Sequence, residues 1–487
     1  MYPWRTVIGI KRRSEQPVFL QIANIVIGEI HSGRLAPGQK LPGTRTLSQL
    51  LSLNRKTVVE AIDELSSQGW VESYPKKGTF VSAKLPKVEY KRLPGKPIRP
   101  HRANGLMKVN DQPCLEPLHL DLRNKKLIDD GVPDVRLAPL NSLFKHHRPL
   151  LSRKVFTHQL TYNDVEGDPG LRSTLTSYLQ ATRGIHSTSS NIFITRGSQM
   201  GIYLTIATLV KKGDTCITSF PGYQIVDSII AHVGGEIENV RVDESGLVTA
   251  DIENLCKRKR IKLIYVTPHH HYPTTVTLSP ARRVELLQLA IRYNFYILED
   301  DYDYDFHYDN NPVLPLASLN TSGHVIYIGS FSKCLAPVVR VGYFVARPEI
   351  VNAANKLRRV IDRQGDPLLE RSLSEFIKTG EMQRHLKKTV KIYRQRRDLF
   401  CRLLGEYVGD HVRFSKPEGG MSVWVTFKKR GILKTLPAKL AREGYLLETD
   451  NIFISKFNAV RMGFASMTSR ETVEFMSVLK KVLEIRS

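Results

Sequence analysis

The chain has 487 residues, 41% hydrophobic and 24% charged, enough for two or three domains with cores of their own and incompatible with wholesale disorder. With 72 Lys and Arg against 47 Asp and Glu, its net charge of +25 calls for a polyanionic partner. No apolar run reaches the roughly 18 to 20 residues of a membrane helix, Arg5, Lys11, Arg12 and Arg13 interrupt any secretory signal, and the five cysteines include no CxxC pair, so a cytoplasmic chain with reduced thiols is expected.

Elements are predicted in chain order. After Pro17, the residues Phe19, Leu20, Ala23, Ile27 and Ile30 line one face of a helix that Gly33 closes. Thr46 is placed to cap a short helix through Leu51, and Val58, Ala61, Ile62 and Leu65 form the stripe of a third. WVES and TFVS then flank YPKKG as a hairpin. Three helices and a hairpin predict a winged helix-turn-helix over residues 1–83, an α+β unit.

Reading the major groove requires base-reaching side chains at the start of a helix with phosphate contacts around it. Asn54, Arg55, Lys56 and Thr57 in SLNRKTV meet that need, Arg45 stands just before the second helix, and Lys76 and Lys77 occupy the hairpin tip. The alternative for any one of them is a solvated charge. The segment from PVFLQIANIVIGEI through SGRLAPGQKLPGTRTL and TVVEAIDEL to KKGTFV resembles the DNA-binding domain of the GntR regulator family. That resemblance implies operator contacts from Arg45, from Arg55 to Thr57, and from the wing at Gly78; Gly43 departs from the family's more frequent serine.

Residues 84–110 carry 8 basic and 1 acidic side chain with four prolines, Pro86, Pro94, Pro97 and Pro100, and show no periodicity. An extended, self-repelling linker over 84–114 is expected. Beyond it, apolar strands at 191–195, 215–218, 261–266, 295–298 and 325–328 alternate with helical segments, predicting an α/β domain over 115–487 with a parallel sheet covered on both faces. SVWVTF and AVRMGF near the end predict a smaller α+β lobe.

Chemistry concentrates at the ends of those strands. In GSFSKCLAPVVRVGY, Lys333 follows VIYI, with Ser330, Ser332 and Arg340 around it. The pattern is that of a Schiff-base lysine beside a phosphate site. Such an aldehyde cofactor, pyridoxal 5'-phosphate, needs an acid at its ring nitrogen. Asp300 is the candidate, with Tyr302 for the ring hydroxyl. Gly197, Ser198 and Gln199 form a strand–turn–helix cup for the phosphate, and Tyr223 in FPGY is placed to stack on the ring. The run DDYDYD could instead hold a divalent metal, and HHHYPTT invites zinc, yet consecutive loop histidines rarely converge on one ion and no metal site is predicted.

TPHHHYPTT, LEDDYDYDFHY and SFSKCLAPVVRVGY, in that order and spacing, resemble fold type I aminotransferases. The resemblance implies an internal aldimine at Lys333, ring contacts from Asp300 and Tyr302, and a substrate-carboxylate arginine at Arg461, whose alternative is packing. Two departures are PTT in place of PTG or PSG and the lack of an arginine after Tyr223.

Joined, the halves resemble the MocR subfamily of bacterial transcription regulators. What this implies is a head-to-tail homodimer that binds double-stranded operator DNA, with pyridoxal phosphate, with or without an amino compound, as the effector. The alternative readings are a working aminotransferase with an attached DNA module and a DNA-binding scaffold with a dead cofactor site.

Overall fold

The computed structural model describes residues 2–10, 16–85, 125–152, 161–309, 313–320, 322–448 and 452–484. They divide between two units, Met1–Asp111 and Gln112–Ser487. Most of the predicted linker at 84–114 lies outside the described residues.

The first unit contains α1 (Trp4–Val7), α2 (Val18–His31), α3 (Thr44–Leu51), α4 (Arg55–Ser67) and a hairpin of β1 (Val71–Tyr74) and β2 (Gly78–Val81). The stripe predicted for α4 is the buried one: Val58, Ala61, Ile62 and Leu65. In α2 the face differs from expectation. Ile22, Ala23, Val26 and Ile30 are buried, while Phe19, Leu20 and Ile27 are only half-buried. VFLQIANIVIGEI is apolar on nearly every side, so packing on α4 and on Trp4 and Ile8 of the amino-terminal arm selects the face. Nor does Thr46 cap α3, which begins at Thr44 with Gly43 as a cap residue lacking any side-chain bond.

The second unit is built on eight strands ordered β4-β11-β10-β9-β8-β5-β6-β7. They are β4 (Ile192–Thr195), β5 (Thr215–Phe220), β6 (Glu236–Asp243), β7 (Gly246–Leu247), β8 (Ile261–Val266), β9 (Tyr296–Asp301), β10 (Val325–Ser330) and β11 (Gly342–Val345). The sheet is mixed, correcting the parallel one expected. Strands β6, β5, β8, β9 and β10 run parallel, but β11 enters antiparallel between β10 and β4, and β7 folds back on β6. Both exceptions escaped the apolar-run criterion because they are short: β7 has two residues, and β11 has four, soon after the Lys333 segment. β6, though parallel, escaped it as well, being polar and mostly unburied. The smaller lobe has a three-stranded sheet of β12 (Val412–Phe414), β13 (Ser422–Phe427) and β15 (Ala459–Gly463). A separate parallel pair joins β3 (Lys126–Ile128) to β14 (Tyr445–Leu447), tying the start of the unit to its last hundred residues.

Candidate cofactor pocket and nucleic-acid interface

Five strands, β4, β5, β8, β9 and β10, deliver their following loops to one edge of the large sheet, where open α/β sheets bind ligands. There lies a cavity of about 240 Å³ lined by Asp130, Ser198, Tyr223, Tyr265, Tyr272, Asp300, Tyr302, Lys333 and Arg461. Six of these are predicted site residues, drawn together from segments spanning residues 198 to 461.

Asp300 is buried in β9. Its Oδ2 accepts the Tyr265 hydroxyl at 2.8 Å, whereas Oδ1 has no hydrogen-bond partner. Burial, reinforced by Asp301 and Asp303, pushes its carboxyl up to about 7. An unpaired buried carboxylate oxygen is costly, and a ring N–H is the group that would satisfy it. Lys333 Nζ donates to the Gly131 carbonyl at 2.6 Å, which holds the amine at the cavity wall. The Tyr302 hydroxyl donates to the His270 carbonyl at 2.8 Å and accepts from Arg461 at 3.2 Å. Tyr223 packs edge-on against Tyr272, with ring centroids 5.3 Å apart.

The phosphate cup is assembled beside the cavity. Gly197 precedes the helix Ser198–Leu209 at φ +77°, and a Cβ there would meet the Arg340 guanidinium at 2.7 Å. Only glycine lets that cation approach the amides of the helix start. Arg340 donates to the Arg196 carbonyl at 3.1 Å. Ser332 Oγ is buried without a partner, and the Ser332 amide donates to Ser330 Oγ at 3.2 Å. Gln199, exposed on the first helical turn, does not line the cavity. The orphaned Ser332 Oγ and Asp300 Oδ1, with Lys333 and Arg340, make a donor and acceptor set that fits pyridoxal phosphate.

Arg461 extends from β15, buried, with its guanidinium 4.8 Å from the Tyr272 ring centre. It donates to the carbonyls of Asp130 at 2.6 Å and Pro273 at 3.2 Å. Tyr272, Tyr265 and Asp130 were not anticipated as site residues. Tyr265 is hidden in the apolar run IKLIYV, and Asp130 lies some 200 residues from Lys333 with no recognisable motif. The histidines and carboxylates that invited a metal reading are distributed among separate partners. His269 Nδ1 is 3.0 Å from Asp301, His270 Nδ1 is 2.7 Å from Asp303, His271 Nε2 is 2.8 Å from Ser219 Oγ, and Asp305 pairs with Arg183 at 2.8 Å. Thr275, where the resembled pattern has glycine, sits at φ +64°.

In the first unit, Arg45, Asn54, Arg55 and Lys56 are exposed and Thr57 half-buried around the start of α4. Asn54 has a local task as well: its side chain caps the helix by accepting the Lys56 amide at 2.9 Å. Lys76 (φ +63°) and Lys77 are exposed between the wing strands, and Gly78 (φ +110°) closes the turn. Lys40, not singled out in the sequence, stands beside this wing with its Nζ 5.7 Å from the Phe80 ring centre.

The comparisons follow the same division. Residues 20–81 match the family of bacterial regulatory proteins of the gntR type, and residues 144–479 match aminotransferase class I and II. The HTH-type transcriptional regulator TauR of Rhodobacter capsulatus is 30% identical over 463 residues, covering 92% of each chain. The probable rhizopine catabolism regulatory protein MocR of Rhizobium meliloti is 27% identical over 430 residues, 87% of this chain and 84% of that one. Among solved structures, a Pyrococcus horikoshii kynurenine aminotransferase crystallised with PMP superimposes with a TM-score of 0.69 at 26% identity, covering 75% of this chain and 92% of that one. A winged helix joined to an aminotransferase-type domain, matched along nearly the whole chain by such regulators, makes this chain a member of the MocR/TauR-type regulators: GntR-type DNA-binding proteins with an aminotransferase class I and II domain.

Proposed function

We propose that the chain binds operator DNA through its first unit and holds pyridoxal phosphate on Lys333 in its second, and that exchange of this attachment for an amino compound alters operator affinity. The observation that carries the reading is Lys333 sharing a cavity with an Asp300 oxygen that lacks a partner, in a chain whose other unit presents Arg55 and Lys56 at an exposed helix start. When bound, pyridoxal phosphate supplies an aldehyde for amines and an electron-withdrawing ring. Lys333 provides the competing amine, Asp300 holds a proton at the ring nitrogen, and Tyr302 and Tyr223 border the ring. Ser198, Ser330, Ser332 and Arg340 surround the phosphate, and Arg461 takes the effector's carboxylate.

Coupling requires only that the two states of the pocket prefer different arrangements of the DNA units, because a preference of that kind must reappear as a change in affinity. A homodimer supports it. Exposed apolar side chains flank the phosphate cup: Val338, 74% exposed, is two residues from Arg340. Tyr162, 75% exposed, lies under Arg363, whose neighbour Asp362 pairs with Arg196 at 3.3 Å. A second copy covering this face, head-to-tail, would complete the pocket and supply two DNA units for two half-sites. Operator DNA as the partner supports a cytoplasmic location; among the described residues no helix is long and apolar enough to cross a membrane.

The test is operator affinity with and without pyridoxal phosphate and an amine. A change of roughly five-fold or more is expected; identical affinities under all conditions overturn the reading. Sustained amino transfer at enzymatic rates would assign the domain to catalysis, with the DNA unit as an attachment.

A further inference from the structure

Asp130 enters the pocket because the loop that carries it cannot turn elsewhere. Its neighbour Asp129 accepts the amides of Gly131 and Val132, both at 2.7 Å, and the Ser466 hydroxyl at 2.6 Å. The Asp129 carbonyl accepts the Gly463 amide at 2.6 Å. Gly131 adopts φ +119°, and a Cβ there would press on Ser422 Oγ at 3.1 Å. With residues 129 and 131 pinned, the side chain of residue 130 is presented to the cavity, where it lies alongside Lys333 and Arg461.

The charge of Asp130 is poorly matched by the protein. Among the described residues, its carboxylate receives one hydrogen bond, from the Tyr272 hydroxyl at 3.2 Å, and no cation pairs with it within 4 Å. Arg461 gives its backbone carbonyl a bond but not its carboxylate. Glu448, just after β14, is a second carboxyl beside Asp130. It accepts the Asp130 amide, and burial together with Asp130 and Asp129 raises its carboxyl to about 7. Asp300 needs its own charge for the ring nitrogen. Arg461, likewise, has no carboxylate within 4 Å among the described residues. One cavity therefore carries an unpaired cation for a carboxylate and an unpaired anion beside it, in addition to the reacting lysine. The unsatisfied, buried Asp300 Oδ1 independently marks the cavity as a place built for a ligand.

We propose that the effector is an amino acid bearing a second cationic group, whose carboxylate is taken by Arg461 and whose remote ammonium is taken by Asp130 with Glu448 beside it. This rests on the reading that amines exchange at Lys333, and it names which amines. Neutral side chains would leave Asp130 desolvated and unpaired, and acidic ones would meet like charge.

The full chain loaded with pyridoxal phosphate can be titrated with L-ornithine, L-norleucine and L-glutamate, following the visible absorbance of the lysine-bound cofactor. One charge-assisted hydrogen bond is worth roughly 1.5 to 3 kcal/mol, so half-saturation with ornithine is expected at a concentration about 10 to 100 times lower than with norleucine. In Asp130→Asn that ratio should shrink to within about three-fold. Because the ratio is taken within each protein, a general loss of binding cancels, and Glu448→Gln should give an intermediate ratio. Equal half-saturation by ornithine and norleucine in the unaltered chain, or a preference that survives in Asp130→Asn, overturns the proposal while leaving amine sensing intact. A band that responds to no amine overturns both.

Discussion

Asp300 illustrates how burial turns one carboxylate into a device. Without a ring nitrogen beside it, the folded protein raises this carboxyl from its ordinary 3.8 to about 7. The folded state then binds the proton more tightly than the unfolded chain between about pH 4 and 7, so stability falls as pH rises through that window. The full effect is on the order of 4 kcal/mol. Calorimetry of the cofactor-free protein should show a melting temperature that declines between about pH 4 and 7, and a shallower decline in Asp300→Asn. Lys333→Ala is expected to abolish the visible absorbance on adding pyridoxal phosphate and, with it, any cofactor-dependent change in operator affinity; a band that persists in this variant would assign the attachment to another amine.

Among the secondary elements, the start of the helix at Ser198 and the start of α4 are the two termini on which the proposed function turns. Gly197→Val places a branched side chain at φ +77° and against Arg340, so loss of cofactor retention is expected, read as release of the chromophore during dialysis. Arg55→Ala should weaken operator binding by about 1 to 3 kcal/mol and relax sequence preference, whereas Lys76→Ala with Lys77→Ala should weaken binding to all sequences alike and lower its salt dependence. Competition assays with scrambled DNA separate the two. How far these elements were legible depended on their amphipathicity. In α4 a narrow stripe alternates with charged residues, so the periodicity has one solution and the structure has the same one. In α2 an almost wholly apolar sequence has several, and neighbours decide. β6 was illegible for the opposite reason, since a strand near the sheet edge keeps its polar residues and lacks the apolar run that betrays its buried companions.

At the scale of the whole molecule the net charge of +25 is uneven, and residues 84–110 contribute +7 of it in a stretch where side chains would otherwise repel. Replacing Lys87, Lys91, Arg92 and Lys96 by glutamine should reduce the slope of log affinity against log salt for DNA by up to about 3 to 4 while sparing the cofactor absorbance. Sequence by itself determined the two-part plan and the chemical kind of each part, because a recognition helix, a Schiff-base lysine and a ring acid each need particular residues at short spacings within one segment. Only the tertiary structure decided the antiparallel strand inside the sheet, the use of Tyr265 and Tyr272, and the entry of Asp130 into the pocket. Those depend on contacts between segments separated by tens to hundreds of residues, where no local pattern records which side chain will be turned inward.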